Sequence, residues 1–116
     1  MPQSIFDLQA ALCQTMSNAS RLRIVHYLRE GPHCVSAIAT ATDLAQPKVS
    51  QHLAVLRSRG VVVAQRQGGE MIYRIANPKI MRVCDLMREV LAEQAAERSE
   101  LLDFARQRDT APKQST

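Results

Sequence analysis

The sequence predicts a mainly α-helical domain with one small β-hairpin, and three observations carry that prediction. Apolar residues recur at helical spacing along most of the chain, while two β-branched runs flank the pair Gly68-Gly69. Of the 116 residues 46% are hydrophobic but only 3% aromatic, with no Trp. That composition suits helices packed through Leu, Val, Ile, Met and Ala and argues against a β-sandwich. A chain of this length makes one domain with a modest core, so association with a second copy is a natural way to bury more surface.

Ile5, Leu8, Leu12 and Met16 place a first helix over residues 3 to 16, and Asn18 or Ser20 can cap the next one. Leu22, Ile24, Val25, Tyr27 and Leu28, interleaved with Arg21, Arg23, Arg29 and Glu30, form a largely buried second helix that Gly31-Pro32 ends. Val35, Ile38 and Ala39 give a third helix of about two turns. Asp43-Leu44-Ala45-Gln46 then turns the chain, and Pro47 suits the first turn of a fourth helix. In that helix Val49, Leu53 and Leu56 stand at i, i+4 and i+7, and Gly60 stops it. Val61 to Arg66 and Met71 to Ile75 are strands joined through Gln67-Gly68-Gly69-Glu70. Asn77-Pro78 opens a long last helix in which Ile80, Cys84, Met87, Leu91, Gln94, Arg98, Leu101 and Ala105 repeat at a spacing near 3.5 residues. This excess length favours pairing with the helix of a second copy by two-fold symmetry over folding back on its own domain. The domain is expected to span residues 1–109, followed by a disordered tail at 110–116; the sequence contains no internal repeat or linker.

Helix, turn, helix and hairpin together make a winged helix-turn-helix, homodimeric through its terminal helices. On the fourth helix the apolar stripe leaves Lys48, Ser50, Gln51 and Arg57 outside, a face able to reach base edges and phosphates in a major groove. The chain carries a net charge of +4, and between Gln46 and Arg74 stand Lys48, Arg57, Arg59, Arg66 and Arg74 against Glu70. A basic helix and wing point to nucleic acid, with a protein-contact module as the competing use of such a surface. Enzymatic function is not expected: Gly68-Gly69 sits in a hairpin turn, and neither a phosphate-cradling glycine loop nor a nucleophile–base motif is present. The N-terminal residues lack a signal-peptide pattern and no stretch is long and apolar enough for a membrane span, so a cytoplasmic location without membrane contact is expected. Cys13, Cys34 and Cys84, odd in number and widely spaced, read as reduced thiols.

The segments Asn18-Ala19-Ser20-Arg21-Leu22-Arg23-Ile24, Cys34-Val35, Val49-Ser50-Gln51-His52-Leu53-Ala54-Val55-Leu56 and Ile72-Tyr73-Arg74-Ile75, in this order, resemble the ArsR/SmtB family over about residues 5 to 91. The resemblance implies a small dimeric repressor on double-stranded DNA at an inverted-repeat operator, with a recognition helix in each major groove and a wing over the neighbouring backbone. Carried onto this chain, it puts Gln46, Lys48, Ser50, Gln51, His52 and Arg57 at the DNA from the helix, and Arg66, Gln67 and Arg74 from the wing. Gln51 can pair bidentately with adenine, Ser50 lets the helix approach, and Lys48 holds a phosphate. His52 either contacts DNA or packs within the helix-turn-helix.

The resemblance further implies release of DNA by an inducer, commonly at cysteines. Where metalloid-responsive relatives carry Cys-x-Cys, this chain has Cys34-Val35-Ser36, which weakens a soft-metal site there because Ser is a poor ligand for soft ions. The last helix carries Asp85, Glu89 and Glu93 but no His, which disfavours a zinc or nickel site; that carboxylate row reads as a solvated face. What remains is Cys34 at a helix N-terminus beside His33, with Cys84 and Cys13. The three thiols could hold arsenite, antimonite or a soft metal, or two of them could form a disulfide or polysulfide link. For Cys13 and Cys84, packing alone is an equal alternative. No cofactor is required.

Overall fold

The computed structural model describes residues 3–115, with side chains through residue 107. Its elements are α1 (Ile5–Met16), α2 (Ala19–Leu28), β1 (His33–Cys34), α3 (Val35–Thr42), α4 (Gln46–Ser58), β2 (Val62–Gln67), β3 (Glu70–Ile75) and α5 (Lys79–Ser115). They form two compact units, Met1–Met81 and Arg82–Thr116. The expectation of a disordered tail at residues 110–116 falls outside the described side chains.

Short polar side chains start the first two helices. Ser4 Oγ accepts from the Asp7 N–H at 3.1 Å while Asp7 Oδ2 accepts from the Ser4 N–H at 3.2 Å, a reciprocal cap on α1. Asn18 Oδ1 accepts from the Arg21 N–H at 3.1 Å and starts α2, as its side chain suggests. Arg21 Nε then donates to the Thr15 carbonyl at 2.6 Å, tying α2 to the last turn of α1. Asp43 ends α3 in the left-handed region at φ 56°, and the Leu44 N–H reaches back to the Ala39 carbonyl at 3.2 Å. These local bonds set the tight turn between α3 and α4.

In the first unit the core is a single cluster of Ile24, Val25, Leu28, Ile38, Val49, Leu53, Leu56, Val61 and Val62, all at most 2% exposed. α2, α3, α4 and the start of β2 each contribute to it, so the inner face of α4 is fixed by the same packing that holds the domain together. α1 contributes less than its periodicity suggests: Leu12 and Met16 pack on the core, but Ile5, Phe6 and Leu8 are more than half exposed. An apolar stripe left open in this way suits contact with a second chain.

The sheet is larger than the expected hairpin. Its strand order is β1-β3-β2, with His33 opposite Tyr73 and Cys34 opposite Ile72. A two-residue strand is too short to show an alternation, so nothing in its composition marks β1. The hairpin itself runs from Val62↔Ile75 to Gln67↔Glu70 and turns through Gly68 and Gly69 at φ 55° and 84°. Two consecutive positive φ angles suit a type I′ turn, whose twist matches that of the strands and which L side chains resist.

The second unit is α5 beyond Met81. Asn77 Oδ1 accepts from the Lys79 N–H at 3.0 Å ahead of the helix. Val83, Leu86, Met87, Val90 and Leu91 are 47–62% exposed and lie on one face, at i, i+3, i+4, i+7 and i+8.

Candidate nucleic-acid interface

α4 presents two chemically distinct faces. Val49, Leu53 and Leu56 are fully buried, whereas Gln46, Lys48, Ser50, Gln51 and Arg57 are exposed. Ala45 gives α4 no side-chain cap, and Pro47, in the first turn, has no N–H to leave unsatisfied. The exposed first two turns therefore carry amide, hydroxyl and ammonium groups on a helix whose inner face is held rigid by the core. Such groups can donate to phosphates and pair with base edges.

His52 lies between the two faces and is half-buried. Burial pushes its pKa below the usual 6.5, and the positive charges of Arg21 and Lys48 push it the same way. The neutral imidazole is thus the favoured form. The unfolded chain binds the extra proton between the depressed folded pKa and 6.5, so this residue's contribution to stability is present above 6.5 and is lost as pH falls through the folded value. In an NMR titration the His52 ring should show a midpoint below 6.5; a midpoint above it would mean an acidic partner in place of these two cations.

On the wing Arg66, Gln67 and Arg74 are all exposed, but they do not share a face. Strand alternation in the observed register puts Gln67 and Arg74 on one side with Gln65, and Arg66 on the other with Met71 and Tyr73. Arg66 Nη1 lies 3.5 Å from the Gly69 carbonyl, which holds the guanidinium beside the turn. Gln65 shares the Arg74 face, as counting alternate residues back from Gln67 shows.

Cys34 stands at the N-cap of α3, with its Sγ 3.2 Å from Ser36 Oγ. That hydroxyl, followed by the backbone N–H of Ala37 at the helix start, lowers the thiol pKa below 9.0 against the opposing effects of partial burial and then of the Glu70 carboxylate. The same Ser36 that spoils a Cys-x-Cys ligand pair therefore stabilises a thiolate, a role recognisable from its position two residues past the cap. A cleft of about 160 Å³ opens at the thiol, lined by Cys34, Val35, Ser36, Gln46, Glu70 and Met71. It joins the starts of α3 and α4 to the first residues of β3. His33 does not serve this thiol: its ring stacks on Tyr27 with centroids 4.3 Å apart, and Nδ1 lies 3.4 Å from the Tyr27 hydroxyl. Neighbours in a strand alternate sides, which turns His33 and Cys34 apart.

Cys13 is exposed on α1 and Cys84 is buried on α5; neither forms a disulfide. Among the described residues no three Cys, His, Asp or Glu side chains form a group able to hold a metal ion. Asp85 pairs with Arg88 one turn on, as a solvated helix face does. No helix among the described residues is long and apolar enough to cross a membrane.

Residues 18–63 match the family described as bacterial regulatory protein, arsR family. The HTH-type transcriptional repressor SmtB of Mycobacterium tuberculosis is 37% identical over 82 residues, 71% of this chain; the chain spans only 61% of that protein's length. An uncharacterized HTH-type transcriptional regulator of the same organism, Rv0081, is 34% identical over 105 residues, covering 90% of this chain and 92% of the relative. The crystal structure of Rv0081 superposes with a TM-score of 0.75 at 35% identity, over 84% of this chain and 98% of that one. The solution structure of Mb0332 from Mycobacterium bovis, described as a homodimeric winged helix-turn-helix DNA-binding domain, gives 0.72 at 34% identity, over 82% and 93% of the two chains. These are regulators of transcription and not enzymes. By fold, by the order of its motifs and by similarity along most of its length, the chain belongs to the ArsR/SmtB family of winged helix-turn-helix transcriptional regulators.

Proposed function

We propose that this protein is a cytoplasmic repressor that binds an inverted-repeat operator as a homodimer and releases it when a thiol-directed inducer reacts with Cys34. The observation that carries the DNA half is the split character of α4: Lys48, Ser50 and Gln51 exposed over a stripe of Val49, Leu53 and Leu56 at 0% exposure. Gln51 reads a base, Ser50 permits close approach, and Lys48 with Arg57 engages phosphates, flanked by Gln46 and His52. On the wing, Gln67 and Arg74 from one side of the hairpin and Arg66 from the other meet different stretches of the neighbouring backbone. Two-fold pairing of such modules sets two recognition helices about one helical turn of DNA apart. The apolar residues left open on α1 and α5 support that pairing.

The inducer half rests on the Cys34 cleft. A thiol with a lowered pKa, open to solvent, is the nucleophilic member of the three. An adduct there enlarges the side chain where β1, α3, the start of α4 and the start of β3 meet, so the position of the recognition helix changes with it. Cys84 or Cys13, from the same or a second chain, completes either a disulfide or polysulfide link or a thiolate set for arsenite, antimonite or a soft metal.

Fluorescence anisotropy on the DNA upstream of the protein's own gene tests both halves, with the reduced protein titrated in parallel with arsenite, cadmium, diamide and polysulfide. We expect tight binding that at least one reagent weakens by about 5- to 150-fold, the usual range of such coupling. The Cys34→Ser variant should bind equally well and lose that response. A variant that responds normally to every reagent refutes the sensor; absence of DNA binding in any state turns the α4 surface into a protein-contact face.

A further inference from the structure

His52 stands at the edge of the exposed α4 face, next to Gln51 and one turn past Lys48, which lies on the same side of the helix. Two positive charges act on its ring, Arg21 from α2 and Lys48 from α4, and no carboxylate among the described residues does. Arg21 is anchored from behind: its Nε donates to the Thr15 carbonyl at 2.6 Å, at the end of α1, and among the described residues neither Nη group has a protein acceptor. Nor does Arg21 or Lys48 form an ion pair among those residues. Folding has thus gathered two cations around a half-buried imidazole, where α2 packs on α4, with no counter-charge. Like charges held together in this way repel, and such a cluster on the margin of a DNA face points to an anion supplied from outside the chain.

We propose that Arg21 and His52 together grip one phosphodiester of the DNA backbone, beside the one held by Lys48, and that His52 takes up a proton from solvent as it does so. The proposal rests on the reading of α4 as the DNA face and adds to it a contact from α2 and a dependence on pH. In the free protein, burial and the two cations keep the imidazole neutral. A duplex reverses that balance, because it brings a dense row of negative charges up to the ring. The imidazolium then donates to one phosphate oxygen while the Arg21 guanidinium donates to another, both bonds being charge-assisted. On release the proton returns to solvent. A group at the margin of a recognition helix meets the backbone that walls the major groove, not the base edges on its floor, so this contact carries no sequence preference.

Anisotropy at constant ionic strength, on operator and on random duplex DNA, tests the site. Between about pH 8 and about pH 6 the affinity of the full chain for both duplexes should rise by at least about tenfold, since each protomer binds one more proton in the complex. His52→Gln, which leaves the other histidines His26 and His33 in place, should cut that rise to below about threefold, whatever its affinity at pH 8. A native pH dependence in His52→Gln overturns the proposal. So does a pH response confined to the operator, which would make His52 a base contact. NMR of the native chain supplies a measurement that no variant's folding affects. On random duplex the His52 midpoint should lie at least about one pH unit above that of the free protein, a tenfold change in proton affinity, and inorganic phosphate at the same phosphate concentration should not reproduce the shift. A midpoint unmoved or lowered by the duplex overturns the proposal; an equal shift with inorganic phosphate overturns the backbone assignment. Arg21→Gln, which keeps a donor for the Thr15 carbonyl, should raise the His52 midpoint in the free protein and weaken both duplexes alike by about tenfold or more. An unmoved free midpoint would place Arg21 away from the ring and overturn the shared grip. A native chain that binds neither duplex at any pH overturns the DNA reading itself, whereas binding with no pH response overturns only this site.

Discussion

Raising monovalent salt from about 50 to 200 mM should lower operator affinity by roughly 10⁵-fold, if all five exposed cations of each protomer meet phosphates. Lys48, Arg57, Arg59, Arg66 and Arg74 are all exposed, the first three on or just after α4 and the last two on the wing. A dimer then neutralises about ten phosphates, and each contact contributes about 0.9 to the slope of log affinity against log salt, for a slope near −9. Lys48→Ala should reduce that slope by about two, one contact per protomer, and weaken operator and random DNA alike. Arg66 and Arg74 point to opposite sides of the hairpin, so they do not meet the same stretch of backbone in one pose. A measured slope nearer −7 with Arg66→Ala silent would assign the contact to the Arg74 face. A slope near zero would remove phosphate binding from the α4 surface.

Several helices were readable in sequence because a local chemical signal bounds them. Asn18 caps, Gly31-Pro32 and Gly60 stop, and Pro47 starts, whereas the Ser4 cap sets the start of α1 at Ile5, two residues later than its apolar period alone suggests; the apolar period of α4 matches the buried set Val49, Leu53 and Leu56. The wing turn was readable for the same reason, since Gly68-Gly69 leaves few other conformations for a two-residue connection. β1 was not, because its existence depends on Tyr73 and Ile72, some forty residues away in sequence, and on no property of His33-Cys34 themselves. The exposure of Ile5, Phe6 and Leu8 was hidden too: a helical stripe has the same period whether its own core or a second chain covers it. At the candidate site, the residue types at the DNA face could be listed in advance but the division of the wing into two faces could not, since it needs the register. Around Cys34 the thiol and its helix start are legible in the residues alone; the contributions of Glu70, Met71 and Gln46 come from tertiary packing.

Two substitutions two residues apart on α4 should separate folding from recognition. Leu53 is fully buried at the centre of the core cluster, so Leu53→Ala leaves a cavity bounded by side chains of several elements. The expected loss is about 2–5 kcal/mol, against a total stability of about 5–15 kcal/mol for a domain of this kind. At the upper end the helix-turn-helix is unfolded for much of the time, and DNA binding fails through lost folded protein, with no change in which sequence is preferred. Gln51 faces outward on the same helix, and Gln51→Ala should leave stability within about 0.5 kcal/mol. Its effect belongs to one base pair: discrimination at that position should fall by about 1–3 kcal/mol while binding to random DNA is kept. Denaturant unfolding at fixed protein concentration, together with anisotropy on operator and on single-base variants, reads both quantities. If Gln51→Ala lost affinity equally on every sequence, the side chain would be a backbone contact and base reading would pass to Ser50 or Gln46. If Leu53→Ala were neutral, the packing assigned to α4 would be wrong, and with it the rigid placement that lets a short polar face discriminate bases at all.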